Sequence, residues 1–337
     1  MVKKSAQRPI KKIQFGVLAF SGYASDTINL LQKGFESRGY ELFARGASGK
    51  YNNHNVRSVC EKEKPDIVFF QAPNQWRPDL PQSINKHVGF INYKWLAQDK
   101  NIVKITQYCD PCSHQNVHQE WQLNELVPDM VLCRYDLDNV IGFNPWINKS
   151  TLFRAYHSVT REYCLPVVPR DKVAILAGAL QRKIYPMRTR LYHEIVDRGD
   201  PWIFTIRRHH KYSRTSGSAV PGFMQALSEH RVSVVCTSDY RWALKKHFEA
   251  TAAGCIVVTN LPESEKIPII EENLVRVRSE IPVDELSYIV QSLARSWDLE
   301  KQRDLARRTI DRYDYRREAK RIDLAAKKLM WNRKLNL

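Results

Sequence analysis

The stretch from His230 to Val258, HRVSVVCTSDYRWALKKHFEATAAGCIVV, constrains the fold more than any other part of the chain. A β-branched run, Arg231–Cys236, is followed by three residues of the kind that cap helix N-termini. Helix-forming residues then continue to Gly254, where a helix C-cap is expected, and a second apolar run follows. The pattern predicts a strand, a loop, a helix and a second strand, which is the repeating unit of a parallel α/β sheet.

Charged residues of this unit fall where parallel sheets bind ligands, beyond the carboxyl ends of the strands. Glu249 lies about one turn into the predicted helix, where its carboxylate can accept hydrogen bonds from two vicinal ribose hydroxyls. Lys245 and Lys246 precede it and can meet phosphate. The alternative is a routine β-α-β unit whose charged helix is simply exposed.

The rest of the chain repeats the alternation of strands and helices. The first half begins with a strand at Lys12–Phe20 and a loop, Ser21-Gly22-Tyr23, whose position after that strand predicts a ligand-facing loop or a tight turn. The proline-punctuated segment Pro166–Arg170 predicts an interdomain linker, and the pattern restarts after it with DKVAILAG. The sequence therefore predicts an α/β protein with parallel, doubly wound sheets.

Composition narrows the class of protein. A chain of 337 residues can hold two domains, and it contains neither an apolar run long enough to span a membrane nor the apolar core of a signal peptide. Seven cysteines, an odd number, do not suggest a disulfide framework, so a cytoplasmic setting is expected. The net charge of +17 predicts an anionic partner: nucleic acid, an acidic membrane surface or a phosphorylated substrate.

The segment KHFEATAAGCIVVTN resembles the nucleotide-sugar site of GT-B glycosyltransferases, and in particular the branch that includes the spore-maturation-type enzymes. Gly178 followed by YP-x-R resembles the start of the donor domain in the same branch. The resemblance covers roughly residues 172 to 275. It implies two Rossmann-like domains that face a cleft, with Glu249 binding the ribose of a UDP- or GDP-sugar and no metal or other cofactor required.

This resemblance also implies a domain plan and a donor site. The plan is an acceptor-side domain over 1–168, a donor domain over 169–300 and a basic helix over 301–337 that packs back toward the first domain. Basic side chains in the first loop of the donor domain are expected to approach the diphosphate. The predicted donor-binding residues are Gly178, Arg182, Lys183, Arg188, Ser238, Tyr240, Lys245, Lys246, Glu249 and Gly254.

One departure from the family pattern leaves the stereochemistry of transfer open. Retaining family-four enzymes carry a second Glu eight residues before the ribose-binding one, and that position is Arg241 here. An inverting transfer needs a general base on the acceptor side. The candidates are Asp110, at the end of a predicted strand, then His114 and Asp26, while Asp110 also fits an Asp-Pro turn.

The segment around Asp110 also contains Cys109, Cys112 and His118, together with His114. Zinc sites usually combine two separated ligand pairs, so this cluster does not predict one.

Three functions stay open: transfer to a glycan, lipid-linked or other anionic acceptor; transfer to hydroxymethylated DNA; and a non-catalytic nucleotide-binding scaffold. The DNA alternative rests on the charge and on four tryptophans that could stack on an exposed base, Trp76, Trp95, Trp121 and Trp146. Peripheral attachment to an anionic membrane is a further expectation.

Overall fold

The computed structural model describes residues 12–16, 23–43, 56–70, 93–108, 124, 127–145, 147–198, 203–208 and 219–335. The chain divides into two compact units. Unit 1 comprises Met1–Phe20, Ile28–Ala155 and Arg316–Leu337, and unit 2 comprises Ser21–Thr27 and Tyr156–Tyr315. Each unit is a parallel sheet with helices, so the predicted fold class is confirmed.

Unit 1 is built on a parallel sheet whose described strands follow the order β2-β1-β3-β4-β5-β6. Its strands β3 and β5 are buried on both faces, which explains why they are continuous apolar runs in the sequence. Tyr23, predicted to lie in a loop, is the first residue of a helix instead. The elements are β1 (Lys12–Gly16), α1 (Tyr23–Glu36), β2 (Glu41–Leu42), α2 (Val56–Glu63), β3 (Ile67–Phe70), α3 (Tyr93–Gln98), β4 (Val103–Gln107), β5 (Met130–Cys133), α4 (Leu137–Phe143) and β6 (Leu152–Arg154).

Unit 2 is built on a second parallel sheet, with the described strands in the order β11-β10-β9-β7-β8. The strands are β7 (Lys172–Gly178), β8 (Phe204–Arg208), β9 (His230–Val235), β10 (Ile256–Thr259) and β11 (Leu274–Arg276). The helices are α5 (Pro186–Arg198), α6 (Ala219–Ser228), α7 (Lys245–Ala252), α8 (Val283–Arg295) and α9 (Leu299–Tyr313). The strand-loop-helix-strand pattern predicted between His230 and Val258 is confirmed as β9, α7 and β10.

Alternate residues of the strands build two cores on opposite faces of this sheet. In β7, Ile175 and Ala177 belong to a core with residues of α6 and α7. Ala174 and Leu176 belong to a second core, which contains residues of α5 and α8. The twofold alternation of side chains along a strand therefore places α5 and α8 on one face of the sheet and α6 and α7 on the other.

The strand order of unit 2 identifies where a ligand can enter. Read from its other edge, the order is β8-β7-β9-β10-β11, so the chain first adds β8 on one side of β7 and then continues on the other side. In doubly wound sheets the crevice lies at this reversal, outside the carboxyl ends of the two strands. Here those strands are β7 and β9, which end at Gly178 and Val235.

The basic segment after residue 300 forms two helices rather than the single basic helix of the predicted domain plan. Asp314 ends α9 with an extended ψ of 134°, and α10 (Tyr315–Leu335) follows at once. From Arg316 onward the chain belongs to unit 1, whose core contains Ala319, Ile322 and Ala326. The described residues include no helix both long and apolar enough to span a bilayer.

A buried carboxylate fastens α10 to unit 1. Asp323 is 0% exposed and accepts hydrogen bonds from Arg38 Nε at 3.0 Å, Lys327 Nζ at 2.9 Å and the Tyr40 hydroxyl. Burial alone raises the pKa of Asp323, but the hydrogen bonds from Tyr40, Lys327 and Arg38 prevail and lower it. The carboxylate is therefore held in its charged form at the junction between α10 and the end of α1.

Candidate functional site

The loops after β7 and β9 are joined to each other at the crevice of unit 2. The backbone N–H of Asp239 donates to the carbonyl oxygen of Ile184 at 2.7 Å. Gly178, the last residue of β7, has a φ of 137°, a conformation that side chains other than glycine rarely adopt. These two features bring the predicted residues around Gly178 and Ser238 to one edge of the sheet.

Arg188 is buried behind these loops rather than displayed on a helix surface. It is 1% exposed, and its terminal nitrogens donate to the carbonyl oxygens of Ala179 at 3.2 Å and Cys236 at 2.6 Å. A Cβ atom at Gly178 would lie 2.7 Å from Arg188 Nη1, so glycine leaves room for the guanidinium. Arg188 therefore holds the carboxyl ends of β7 and β9 together. Its Nε has no hydrogen-bond partner among the described residues.

Asn260 joins three strand ends and was missed in the sequence. Its Oδ1 accepts from the N–H of Thr237 at 2.8 Å, after β9, and its Nδ2 donates to Ser279 Oγ at 3.0 Å, beyond β11. Asn260 itself follows β10 directly. Its only sequence signal is a polar residue at the end of an apolar strand, in VVTN.

A cavity of about 790 Å³ opens beside these loops, within the size range of small-molecule sites. Of the predicted donor residues, Arg182 and Ser238 line it, together with Asn260. The described lining does not include Glu249, which lies in α7, after the β9–α7 loop in the sequence. The charged side chains of the wall are Arg182, Arg190, Arg241 and Arg278, with Asp239 and Glu280. The wall therefore favours an anionic ligand.

The helix α7, which carries Glu249, is buried, so the interpretation of α7 as an exposed charged helix is wrong. Glu249 is 1% exposed and Lys245 is 8% exposed. Lys245 Nζ lies 3.3 Å from Glu249 Oε1, one helical turn away. Removing two charges from water is costly, and such pairs are weak evidence for stability alone. This pair at the carboxyl edge of the sheet is therefore a candidate for function.

Lys246 adds a second, partly buried amine to the first turn of α7. Burial, and then the neighbouring Arg188 guanidinium, lower the pKa of Lys246 to about 7. The ammonium lies 6.0 Å from the centre of the Phe223 ring. A nearby anion favours the charged form of such an amine, so Lys246 is suited to take up a proton when a phosphate binds.

His247 fastens the beginning of α7 to the sheet and was also missed in the sequence. It is fully buried, and its Nδ1 accepts from the N–H of Leu244 at 3.0 Å, as Glu or Gln does in a capping box. Its Nε2 lies 2.9 Å from Thr259 Oγ1, which in turn donates to the carbonyl oxygen of Val235 at 2.7 Å. With Nδ1 accepting, the proton is on Nε2, and the imidazole is neutral.

The neutral state of His247 predicts a pH-dependent stability. Burial lowers the pKa of His247 from 6.5 to about 4, so the unfolded chain binds a proton more readily than the folded one. The contribution of the neutral His247 to the free energy of unfolding is complete above pH 6.5 and is lost as the pH falls toward 4. This contribution amounts to roughly 3 kcal/mol. We expect His247→Gln, which keeps the acceptor at Leu244, to flatten the fall in unfolding free energy over this window. Urea unfolding at a series of pH values measures it.

The exposed His193 on α5 provides the matched control for this experiment. His193→Gln removes an exposed imidazole and so measures any effect of losing a histidine that does not depend on burial. A His247→Gln variant as steeply pH-dependent as the wild type would contradict the assignment. His230 does not interfere, because it is present in all three proteins.

Two of the predicted donor residues lie apart from this edge or face solvent. Gly254 follows the C-cap of α7, at the end of the helix opposite to Lys245. It has a φ of 79°, and a Cβ atom there would lie 2.8 Å from the Val167 side chain. Gly254 therefore serves close packing with the segment predicted as a linker, Pro166–Arg170, which lies inside unit 2. Lys183 is exposed in the turn before α5.

Of the remaining predicted residues, the structure describes Tyr240, Asp26 and Trp95. Tyr240 packs its ring at 5.6 Å from that of Trp242, in the β9–α7 loop. Asp26 lies in α1 and Trp95 in α3. Outside the described residues lie Asp110, His114, Ser21, Gly22, the cysteines Cys109 and Cys112 with His118, and Trp76, Trp121 and Trp146. The predicted base at Asp110 or His114 and the predicted loop residues Ser21 and Gly22 therefore stay predictions.

The architecture is that of GT-B glycosyltransferases. The structure is similar to a glycosyltransferase from Rickettsia africae ESF-5, with a TM-score of 0.59 and 11% identity over 96% of this chain and 99% of that one. Sucrose-phosphate synthase from Thermosynechococcus elongatus gives a TM-score of 0.63 and 11% identity over 96% and 100% of the two chains. An α-glucosyltransferase in complex with UDP and a 13-mer DNA containing a HMU base gives 0.61 and 11% over 94% and 98%. The sequence matches no protein-family profile and no curated protein. These identities show a shared fold.

Proposed function

We propose that this protein transfers a sugar from a nucleotide-sugar donor to an acceptor hydroxyl. The observation that carries the proposal is the buried Lys245–Glu249 pair in α7, at the ligand edge of a GT-B-type unit. The similarity of both units to glycosyltransferase structures supports the same reaction class. Fold likeness alone does not carry function, so the proposal depends on the chemistry of these residues.

In this proposal, unit 2 holds the donor. Glu249 accepts hydrogen bonds from the ribose hydroxyls, while Lys245 and Lys246 face the diphosphate from the first turn of α7, whose N-terminal dipole also favours an anion. Arg188 contributes through its remaining Nε–H and by positioning the two loops. Arg182, exposed on the cavity wall, supplies a further cation. Stabilising the negative charge that grows on the leaving diphosphate is the main catalytic task of such groups, and no metal or other cofactor is required.

The acceptor side of the reaction belongs to unit 1. If transfer inverts the anomeric centre, Asp110 or His114 removes the proton of the attacking hydroxyl. If it retains configuration, the donor phosphate itself can take that proton. Arg241, which stands where retaining family-four enzymes have a Glu, is exposed and lines the cavity, so it adds positive charge near the donor instead.

A second candidate acceptor is DNA. The α-glucosyltransferase structure with UDP and HMU-containing DNA is similar over 94% of this chain, and the net charge of +17 favours a polyanion. The two acceptors differ in salt dependence, since DNA affinity falls steeply with salt concentration. If the acceptor is a glycan or a lipid-linked molecule rather than DNA, we expect a cytoplasmic protein, attached to an anionic membrane when the acceptor is lipid-linked.

A thermal-shift screen of nucleotides and nucleotide sugars tests the donor proposal. A bound donor at a hundred times its dissociation constant should stabilise the protein by about 2.7 kcal/mol. We expect UDP- or GDP-sugars to give such a shift, and slow hydrolysis of the same donor without acceptor to follow. Binding without any hydrolysis or transfer would favour a non-catalytic scaffold. Absence of a shift with every nucleotide sugar would contradict the proposal.

A further inference from the structure

The helix α10 has two chemically different faces. The face toward unit 1 carries Ala319, Ile322 and Ala326, which are completely buried. The opposite face carries Leu324, Trp331 and Leu335, which are 55%, 49% and 68% exposed. Positions separated by seven and eleven residues fall on one side of an α-helix, so these three apolar side chains form a stripe.

The charges exposed on α10 all have the same sign. Lys320 and Lys328 lie one turn before and one turn after Leu324, on the same side of the helix, and both are exposed. Arg316 and Arg317 are exposed in its first turn. The carboxylates of the helix are turned inward, since Glu318 pairs with Arg321 and Asp323 with Arg38 and Lys327. Apart from the neutral Asn332, the side chains that the described part of the helix exposes are cationic or apolar. We call the surface formed by Arg317, Lys320, Leu324, Lys328, Trp331 and Leu335 the outer face of α10.

This combination selects among possible partners. A second copy of the same face would bring like charges together, which disfavours self-association. Nucleic-acid backbone would satisfy the cations but would give Leu324 and Leu335 nothing apolar to contact. The headgroup region of an anionic bilayer satisfies both, because it offers phosphates to Lys and Arg and acyl chains to Trp and Leu.

We propose that the outer face of α10 docks the protein on an anionic lipid bilayer. The helix lies in the plane of the interface, with Trp331, Leu324 and Leu335 inserted below the level of the lysines. This arrangement needs no unfolding, since the opposite face stays packed on unit 1. The inference rests on α10 alone and holds whether or not unit 2 binds a nucleotide sugar.

Co-sedimentation of the full chain with lipid vesicles tests the proposal. The protein should bind vesicles of phosphatidylcholine mixed with phosphatidylglycerol, bind phosphatidylcholine alone weakly, and lose affinity as salt is raised. Trp331→Ser should weaken binding about tenfold. Lys320→Gln together with Lys328→Gln should weaken it roughly 30-fold, since each basic residue near such a surface is worth about a factor of five.

Tyr288 is the matched control, because it is 74% exposed on α8 of unit 2 and so is a solvent-facing aromatic away from α10. Tyr288→Ser should bind vesicles like the wild type, and thermal unfolding should show that every variant is folded. Failure of the wild type to bind anionic vesicles would overturn the proposal, as would undiminished binding by both α10 variants. Loss of duplex-DNA binding by these variants, with vesicle binding unchanged, would assign the face to nucleic acid instead.

Discussion

Replacing Glu249 with alanine is expected to weaken nucleotide-sugar binding by roughly 10²–10⁴-fold. The physical reason is the loss of two hydrogen bonds from ribose hydroxyls to a charged acceptor, each worth about 1.5–3 kcal/mol. Because Glu249 is 1% exposed, the bonds form out of water, where they are strongest. Calorimetric titration with the nucleotide that gives the largest thermal shift measures the change.

The burial of Glu249 makes a stability control necessary. Alanine leaves the Lys245 ammonium, which is 8% exposed, without its ion-pair partner, so some destabilisation is expected. Glu249→Gln keeps the volume and should also lose affinity, though less. Glu265, which is 0% exposed elsewhere in unit 2, offers the matched substitution: Glu265→Gln should leave affinity unchanged. A folded Glu249→Ala protein with wild-type affinity would remove this residue from the donor site.

Replacing Asp323 with alanine is expected to cost unit 1 about 3–5 kcal/mol of unfolding free energy. The substitution leaves the buried Tyr40 hydroxyl without its acceptor and removes the carboxylate that pairs with Arg38 and Lys327, whose side chains are 25% and 40% exposed. Stranding a buried donor costs about 1–3 kcal/mol and losing a hydrogen bond to a charged group about 1.5–3 kcal/mol, which together give this loss. Total stabilities are only about 5–15 kcal/mol, so partial unfolding of unit 1 should follow at moderate temperature. Urea unfolding combined with hydrogen exchange along α10 and β3 measures the loss.

Asp304 provides the comparison for Asp323. It is exposed on α9 and pairs with Arg307 and Arg308 at the surface. Exposed ion pairs contribute about 0–1 kcal/mol, so Asp304→Ala should change unfolding little. Equal effects of the two substitutions would show that the Asp323 cluster does not hold α10 in place.

The sequence predicted the fold best where buried strands appear as short apolar runs that alternate with helices. The strands β7, β9 and β10 are rich in β-branched and other apolar residues, so they could be predicted together with the helix between β9 and β10. Their parallel pairing followed from the alternation with helices. The same pattern predicts the edge of the sheet that carries Lys245 and Glu249.

The sequence was least informative where tertiary contacts decide. A helix beginning with two lysines and containing a glutamate has the pattern of an exposed helix, yet contacts on all sides bury it. Arg188 has the pattern of surface charge, but the carbonyl groups that it binds come from two different strand ends. Asn260 and His247 were missed because the contacts that join them to other strand ends, to Thr237 and Thr259, involve residues distant in sequence. The break at Asp314 has no signal in the sequence, because charged residues continue through it.

The way in which α10 completes unit 1 has a consequence for how the polypeptide is made. Apart from 21–27, unit 2 is one continuous segment, 156–315, whereas unit 1 needs Arg316–Leu337 in addition to the residues before 156. A ribosome delivers the chain from its N-terminus, and domains fold as units once their parts have emerged. Unit 2, although second in the sequence, can therefore be the first to reach its native state. Until α10 is synthesised, the sheet of unit 1 exposes the apolar residues that pack against Ala319, Ile322 and Ala326. A chaperone that binds exposed apolar surface would act at this stage.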